Sequence, residues 1–318
     1  MTPDLLQRIK NCKTLPAIPA LPLQVLQMCR SEDADIKKMG DLISKDPTFV
    51  AKVLNVANSS FYGGARHKVT TVSQAITLLG MNSVATLAFC FSLYRDLSRH
   101  GSKGFDHVQY WRRSLLASVS GRILGTWGRV VDVEEIFLAA LLQDIGVLVL
   151  SETHQEIYGD LITQANGNHM RLQELEREHL GSDHAEVGAW LAENWQLPEL
   201  LQTAIRCSHD SMEVEVPEEF LPVVKCVAFT GRLADVWCDP ETERAVGEAV
   251  TGAQELLRMD LSHLEESLEK ITQGFLEMSG IFQIDFGNPQ DMNARLEKAK
   301  EIMRNPATAD STQPASVS

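Results

Sequence analysis

The run Phe137–Leu150, FLAALLQDIGVLVL, constrains this chain more than any other stretch. A helix that is apolar on nearly every side has to lie in a core. Its only two polar side chains, Gln143 and Asp144, are neighbours in the middle of the run. Burying a lone carboxylate is costly, so Asp144 needs a counter-ion, a metal or a proton. The periodicity predicts one core helix over 133–150 with this aspartate inside it.

The segments around it are also helical in period, and no strand-like alternation stands out, which predicts an all-α fold. Helices are expected at 3–12, 22–31, 34–44, 47–58, 72–79, 82–97, 106–126, 151–166 and 171–180. Further helices should start at His184 and Leu197-Pro198, then cover 220–237, 241–258, 261–278 and 289–304. Asp46-Pro47 and Asn288-Pro289 pair a capping side chain with a proline that loses nothing at the first helical position. Asp183 and Glu186 have capping-box spacing, and the helix they begin should carry Trp190 and Trp195 into the core. The prolines of LPAIPALP (15–22) fit an extended connector, with a partner-binding polyproline segment as the alternative. The acidic stretch 211–219 reads as a boundary. Residues 305–318 are polar and expected to be disordered.

With 44% apolar and 23% charged residues, the 318-residue chain has an ordinary globular composition. A net charge of −14 argues against broad electrostatic binding to nucleic acid or anionic membrane. Residues 35–99 hold eight Lys/Arg against four Asp/Glu, and their helices could pass for a helix-turn-helix. The candidate recognition helix, VATLAFCFSLY, is too apolar to lie in a groove. The six cysteines form no CxxC pair, there is no signal-type apolar core near the start, and no apolar run approaches the ~20 residues of a membrane span. A cytoplasmic protein is expected.

The polar residues set into apolar helices are Arg113, Gln143, Asp144, His184 and His209. His and Asp converging from several helices are metal-site chemistry, although a single helical histidine is more often structural. No GxGxxG, P-loop or nucleophile elbow is present. Cys207 beside His209 reads as a plain helix-end cysteine.

LLQDIG resembles the LLHDIG signature of the HD superfamily of metal-dependent phosphohydrolases. The wider pattern is similar to its HDOD branch. LPAIPALPLQVLQMC, DLISKDPTFVAKVLNVANSSFYG, TVSQAITLLGMNSV, Trp111 with Ser114, LLQDIG and DHAEVGAWLAENWQLPELLQTAI follow in order over residues 10–212. The resemblance implies an HD-like helical bundle: an HDOD domain at 1–212, divided into an N-terminal helical layer (1–98) and a core (99–212). A helical C-terminal extension (213–304) would follow. It also implies a bacterial signal-transduction protein without catalysis or cofactor, binding a protein partner or a small nucleotide effector, with a homodimer as a further option. The alternatives are a divergent phosphohydrolase acting on nucleotides or cyclic dinucleotides, and a nucleic-acid regulator using the basic N-terminal helices.

The departures from the family pattern are specific. Arg113 stands at the first metal-site histidine and Gln143 at the second, while Asp144 is retained. His184 and His209 match family histidines, and Ser208 replaces an adjacent one. A guanidinium cannot ligate a metal and stays cationic. The expectation is therefore a buried Arg113–Asp144 pair joined by two hydrogen bonds and no metal. The alternatives are Asp144 bonded to backbone N–H groups or to His209, or a residual metal site of Asp144, His184 and His209.

Overall fold

The computed structural model describes residues 1–12, 15, 24, 25, 28, 35–64, 67–97, 105–130, 133–209, 215–284 and 287–305. Every regular element among them is helical. The proline connector apart from Leu15, most of the 22–31 helix, residues 211–214 of the expected boundary and the tail beyond Asn305 lie outside the described residues.

The helix ends follow from local chemistry. Asp46 accepts from the Thr48 and Phe49 amides ahead of Pro47, and Asn288 accepts from Gln290 N–H ahead of Pro289. Thr71 and Gln74 make a reciprocal capping box. Asp183 accepts from Glu186 N–H as expected, but the Glu186 carboxylate takes the Ser182 hydroxyl, so that box is only half formed. Trp195 is buried and Trp190 half-buried.

The largest departure from expectation lies in the central run. In place of one helix over 133–150 there are two, Val133–Leu142 and Ile145–Thr153, with Gln143 and Asp144 in the turn between them. Asp144 has φ −103° and ψ 13° and makes no capping bond, because its carboxylate is engaged elsewhere. Apolar periodicity cannot register such a break, since both pieces are buried all round. The expected 151–166 helix is likewise divided: Ile145–Thr153 ends at His154, and the next helix covers Tyr158–Ala165.

The break lets two backbones approach closely. A Cβ on Gly146 would lie 2.0 Å from the His184 carbonyl oxygen and 2.8 Å from the Gly188 nitrogen. The Ile145–Thr153 and His184–Asn194 helices thus pack backbone to backbone, which brings the start of the second against the turn that carries Asp144.

The C-terminal helices share the same buried cluster as the rest of the chain. Leu221–Cys238 packs along His107–Trp127, and Leu261–Phe282 crosses both that helix and Pro47–Ala57. Glu277 ties the last contact down: its carboxylate accepts from Ser60 N–H (2.7 Å), Ser60 Oγ–H (2.8 Å) and Phe61 N–H (2.9 Å). Glu277→Ala leaves three loop donors without this acceptor. It should lower stability by about 1–2 kcal/mol in urea unfolding and speed hydrogen exchange at Ser60 and Phe61.

The Met81–Leu97 helix is buried from Ser83 through Leu93, so it has no face to offer a DNA groove. Among the described residues no single helix is long and apolar enough to cross a membrane. Val72–Leu79 and Met81–Leu97 pass that test only as a pair, bent by 112°.

Candidate functional site

Asp144 sits at the junction of two buried polar groups. Its Oδ2 accepts from Arg113 Nη1, and its Oδ1 lies 3.0 Å from His169 Nε2. Arg113, on the His107–Trp127 helix, turns the rest of its guanidinium to Asp235. Nε donates to Oδ1 at 2.8 Å and Nη2 to Oδ2 at 3.1 Å. The two-bond fork expected for Asp144 is therefore made to Asp235, and Asp144 receives one bond. A planar guanidinium can serve both carboxylates because its donors point in different directions.

The other side of Asp144 faces three imidazoles. His184 Nε2 lies 3.0 Å from His169 Nε2 and 2.7 Å from His209 Nε2. Both His184 and His209 stand 3.8 Å from Asp144 Oδ1. Glu176 orients His184 from behind: its Oε2 is 2.6 Å from His184 Nδ1 and accepts the His184 backbone N–H at 2.8 Å. Its other oxygen accepts the Tyr158 hydroxyl. His169 opens the His169–Leu180 helix, which Asn168 caps, and Asp183 caps the helix that His184 opens.

The charges shift as this geometry requires. Burial would raise the Asp144 pKa, but Arg113 and then His169 outweigh it and hold the carboxyl well below the usual range. Burial would weaken the Arg113 charge, but Asp144 and Asp235 reverse that and raise its pKa. His169 and His209 are pushed down, first by burial and then by their cationic or imidazole neighbours. His184 moves the other way, since Glu176 overcomes the effect of burial.

Gln143 is fully buried and close to Arg113, but neither its amide oxygen nor its nitrogen has a hydrogen-bond partner among the described residues. Gly231 leaves the space there: a Cβ would lie 3.1 Å from Arg113 Nη2 and 3.5 Å from Gln143 Oε1. A pocket of about 140 Å³ reaches Arg113, Asp144, His169 and Asp235, with Phe105, Tyr110 and Leu172 among its apolar walls.

All five candidate positions from the sequence thus fall in one neighbourhood. Four others completed it without being foreseen: His169, Glu176, Tyr158 and Asp235. Asp235 carried a usable signal, a carboxylate inside the apolar helix Leu221–Cys238 like Asp144 in its own run. His169 and Glu176 lie on a helix rich in charged residues, where a histidine or glutamate is ordinary.

Asp144, His169, His184 and His209 offer four donor atoms within 4.8 Å of one another, a set that fits a metal ion. Such an ion would supply a Lewis acid and a fixed positive charge.

The HDOD domain family matches residues 15–211, more than half of the chain. The chain belongs to the HDOD family. A solved HDOD domain protein of unknown function from Geobacter sulfurreducens superposes with a TM-score of 0.63 at 20% identity, over 96% of each chain. A Shewanella amazonensis structure with the provisional name of a phosphohydrolase gives a TM-score of 0.69 at 24% identity, over 88% of this HDOD chain and 98% of that one. A Marinobacter aquaeolei structure, provisionally named a signal transduction protein, gives 0.62 at 22% identity, over 88% of this chain and 65% of that one. At these identities the likeness is one of fold. A Treponema pallidum protein described as uncharacterized is 25% identical over 219 residues, and this HDOD chain spans 41% of its length.

Asp183, which caps the His184 helix, makes acid stability testable. It accepts from Gln173 Nε2 (2.9 Å), Arg177 Nε (2.7 Å) and Glu186 N–H (2.9 Å). Burial would raise its pKa, but His184, the Glu186 amide and Arg177 outweigh it and hold the carboxyl below its usual value of 3.8. A depressed folded-state pKa contributes stability that is fully present above the unfolded value and lost as pH falls through the folded value. Urea unfolding should therefore show wild type and Asp183→Asn furthest apart above about pH 4 and converging below it.

Proposed function

We propose that this chain is a non-catalytic regulatory module of a bacterial signal-transduction system, working in the cytoplasm by binding a protein partner or a small effector. The observation that carries this reading is Arg113 hydrogen-bonded to both Asp144 and Asp235. Two buried carboxylates facing one another could share a hydrolytic metal, but a guanidinium occupies the space between them. It neutralises charge, yet it cannot ligate a water or lower that water's pKa as a metal does. The pocket beside Arg113 keeps apolar walls and a polar floor, features that suit a small effector. Because Asp235 belongs to Leu221–Cys238, the functional unit includes the C-terminal helices as well as 1–212.

A divergent phosphohydrolase is the second reading, favoured by the histidine cluster around Asp144. Assays of nucleotide monoesters and cyclic dinucleotides with Mn²⁺ separate the two. The regulatory reading expects no hydrolysis above a no-protein control. Turnover that disappears in Asp144→Asn would sink it. Affinity capture from the native cell, comparing wild type with a folded Asp144→Ala chain, then tests the pocket. Retention of every partner by the variant would place regulation elsewhere.

A further inference from the structure

We propose that the cleft between the His107–Trp127 and Leu261–Phe282 helices binds an aromatic amino acid as its zwitterion. The cleft holds about 520 Å³ and shares no lining residue with the pocket beside Arg113. The inference stands whether the Asp144 site is regulatory or catalytic.

The cleft exists because two helices diverge. They run in opposite directions and touch at Gly274, where a Cβ would lie 3.1 Å from Val119 and 2.6 Å from the Phe61 ring. Phe61 closes that end. At the other end Trp127 meets His263 edge-on, with ring centroids 5.8 Å apart. The opening between them is of ligand size.

Three groups face this space, each with a different chemistry. Trp127 leaves 39% of its surface exposed, an aromatic face that a planar ring would cover. Arg122 is the donor. Glu134 takes its Nη1, and the guanidinium carbon lies 3.7 Å from the centroid of the Tyr62 ring. The plane is thereby fixed before a ligand arrives, and its other N–H groups bond nothing among the described residues. A guanidinium held in this way suits a carboxylate. Glu277 is the acceptor. The Ser60 and Phe61 donors orient it and use three of its roughly four lone-pair sites. No cation among the described residues pairs with it, so its negative charge is left for an ammonium group. Glu266 and Lys270 pair with one another at the rim, 2.7 Å apart and both more than half exposed, and cancel.

These charges set the class of ligand. An anion bound by Arg122 alone would meet repulsion from Glu277, and a cation bound by Glu277 alone would meet it from Arg122. A molecule carrying both charges finds a partner for each. An amino acid carries the two on one carbon, and an aromatic side chain supplies the ring for Trp127.

The test uses the full chain and L-phenylalanine. Calorimetry should give one L-phenylalanine per chain with a Kd below about 1 mM. The Trp127 indole N–H signal, assigned from Trp127→Phe, should shift on binding. 3-Phenylpropionate lacks the ammonium group, 2-phenylethylamine the carboxylate and glycine the ring, and each should bind at least about tenfold more weakly. Glu277→Gln should erase the preference for L-phenylalanine over 3-phenylpropionate, a ratio that a general loss of stability would not move. Arg122→Gln combined with Glu134→Gln removes both members of a pair and strands no charge, so the chain should keep its helical circular dichroism and lose the preference for L-phenylalanine over 2-phenylethylamine. Neither heat nor an indole shift at millimolar L-phenylalanine overturns the site, and so does binding that leaves the Trp127 signal unmoved. Equal affinity for L-phenylalanine and either singly charged analogue overturns the ligand class.

Discussion

Arg113→Met is expected to lower the unfolding free energy by about 3–5 kcal/mol, the cost of leaving a buried charge without its partner. The effect should fall at the upper end because two carboxylates lose a counter-ion together. Asp144 is 2% exposed and Asp235 6%. The fork to Asp235 and the bond to Asp144 use three of the five guanidinium N–H donors, so a methionine of similar length fills the space but meets neither acid. Guanidinium denaturation would mask an electrostatic change, so urea unfolding is the measurement of choice. Adding Asp235→Asn to Arg113→Met should restore part of the loss, since it removes one stranded charge. A single variant with wild-type stability, or a double variant no better than the single, would mean that these groups are solvated and not paired.

Gly146→Ala should cost about 3 kcal/mol by overpacking, and it acts on backbone rather than on a side chain that could turn away. Its methyl group would sit 2.0 Å from the His184 carbonyl oxygen, so the Ile145–Thr153 and His184–Asn194 helices would have to separate. That movement would carry His184 away from Asp144, so imidazole chemical shifts should change along with the melting temperature. Gly280→Ala is the control. Gly280 lies on the exposed face of Leu261–Phe282 with nothing within 4 Å of a Cβ. Alanine there should stabilise by about 0.5–1 kcal/mol through helix propensity. Equal effects of the two substitutions would argue against the close approach at Gly146.

The two predictions show which parts of this protein could be read in advance. The sequence determined that the chain is all-helical, because period and capping residues act over a few neighbouring positions. Asp46-Pro47 and Asn288-Pro289 start helices where local chemistry puts them. It also determined that Asp144 is buried and needs company, since no solvated face exists in FLAALLQDIGVLVL. Ordered likeness over six segments was enough to identify the family.

Tertiary structure alone decided the company. Arg113 shares its guanidinium between Asp144 and Asp235, residues 31 and 122 positions away, and no local rule links such distances. The break at Gln143–Asp144 was hidden because two buried apolar helices have the same pattern as one. His169 gave no signal from within a polar helix, yet it lies 3.0 Å from both Asp144 and His184 once the helices pack. Short-range patterns set the helices and the need for a counter-ion. Helix packing decided which groups meet, because that depends on contacts between residues far apart in the chain.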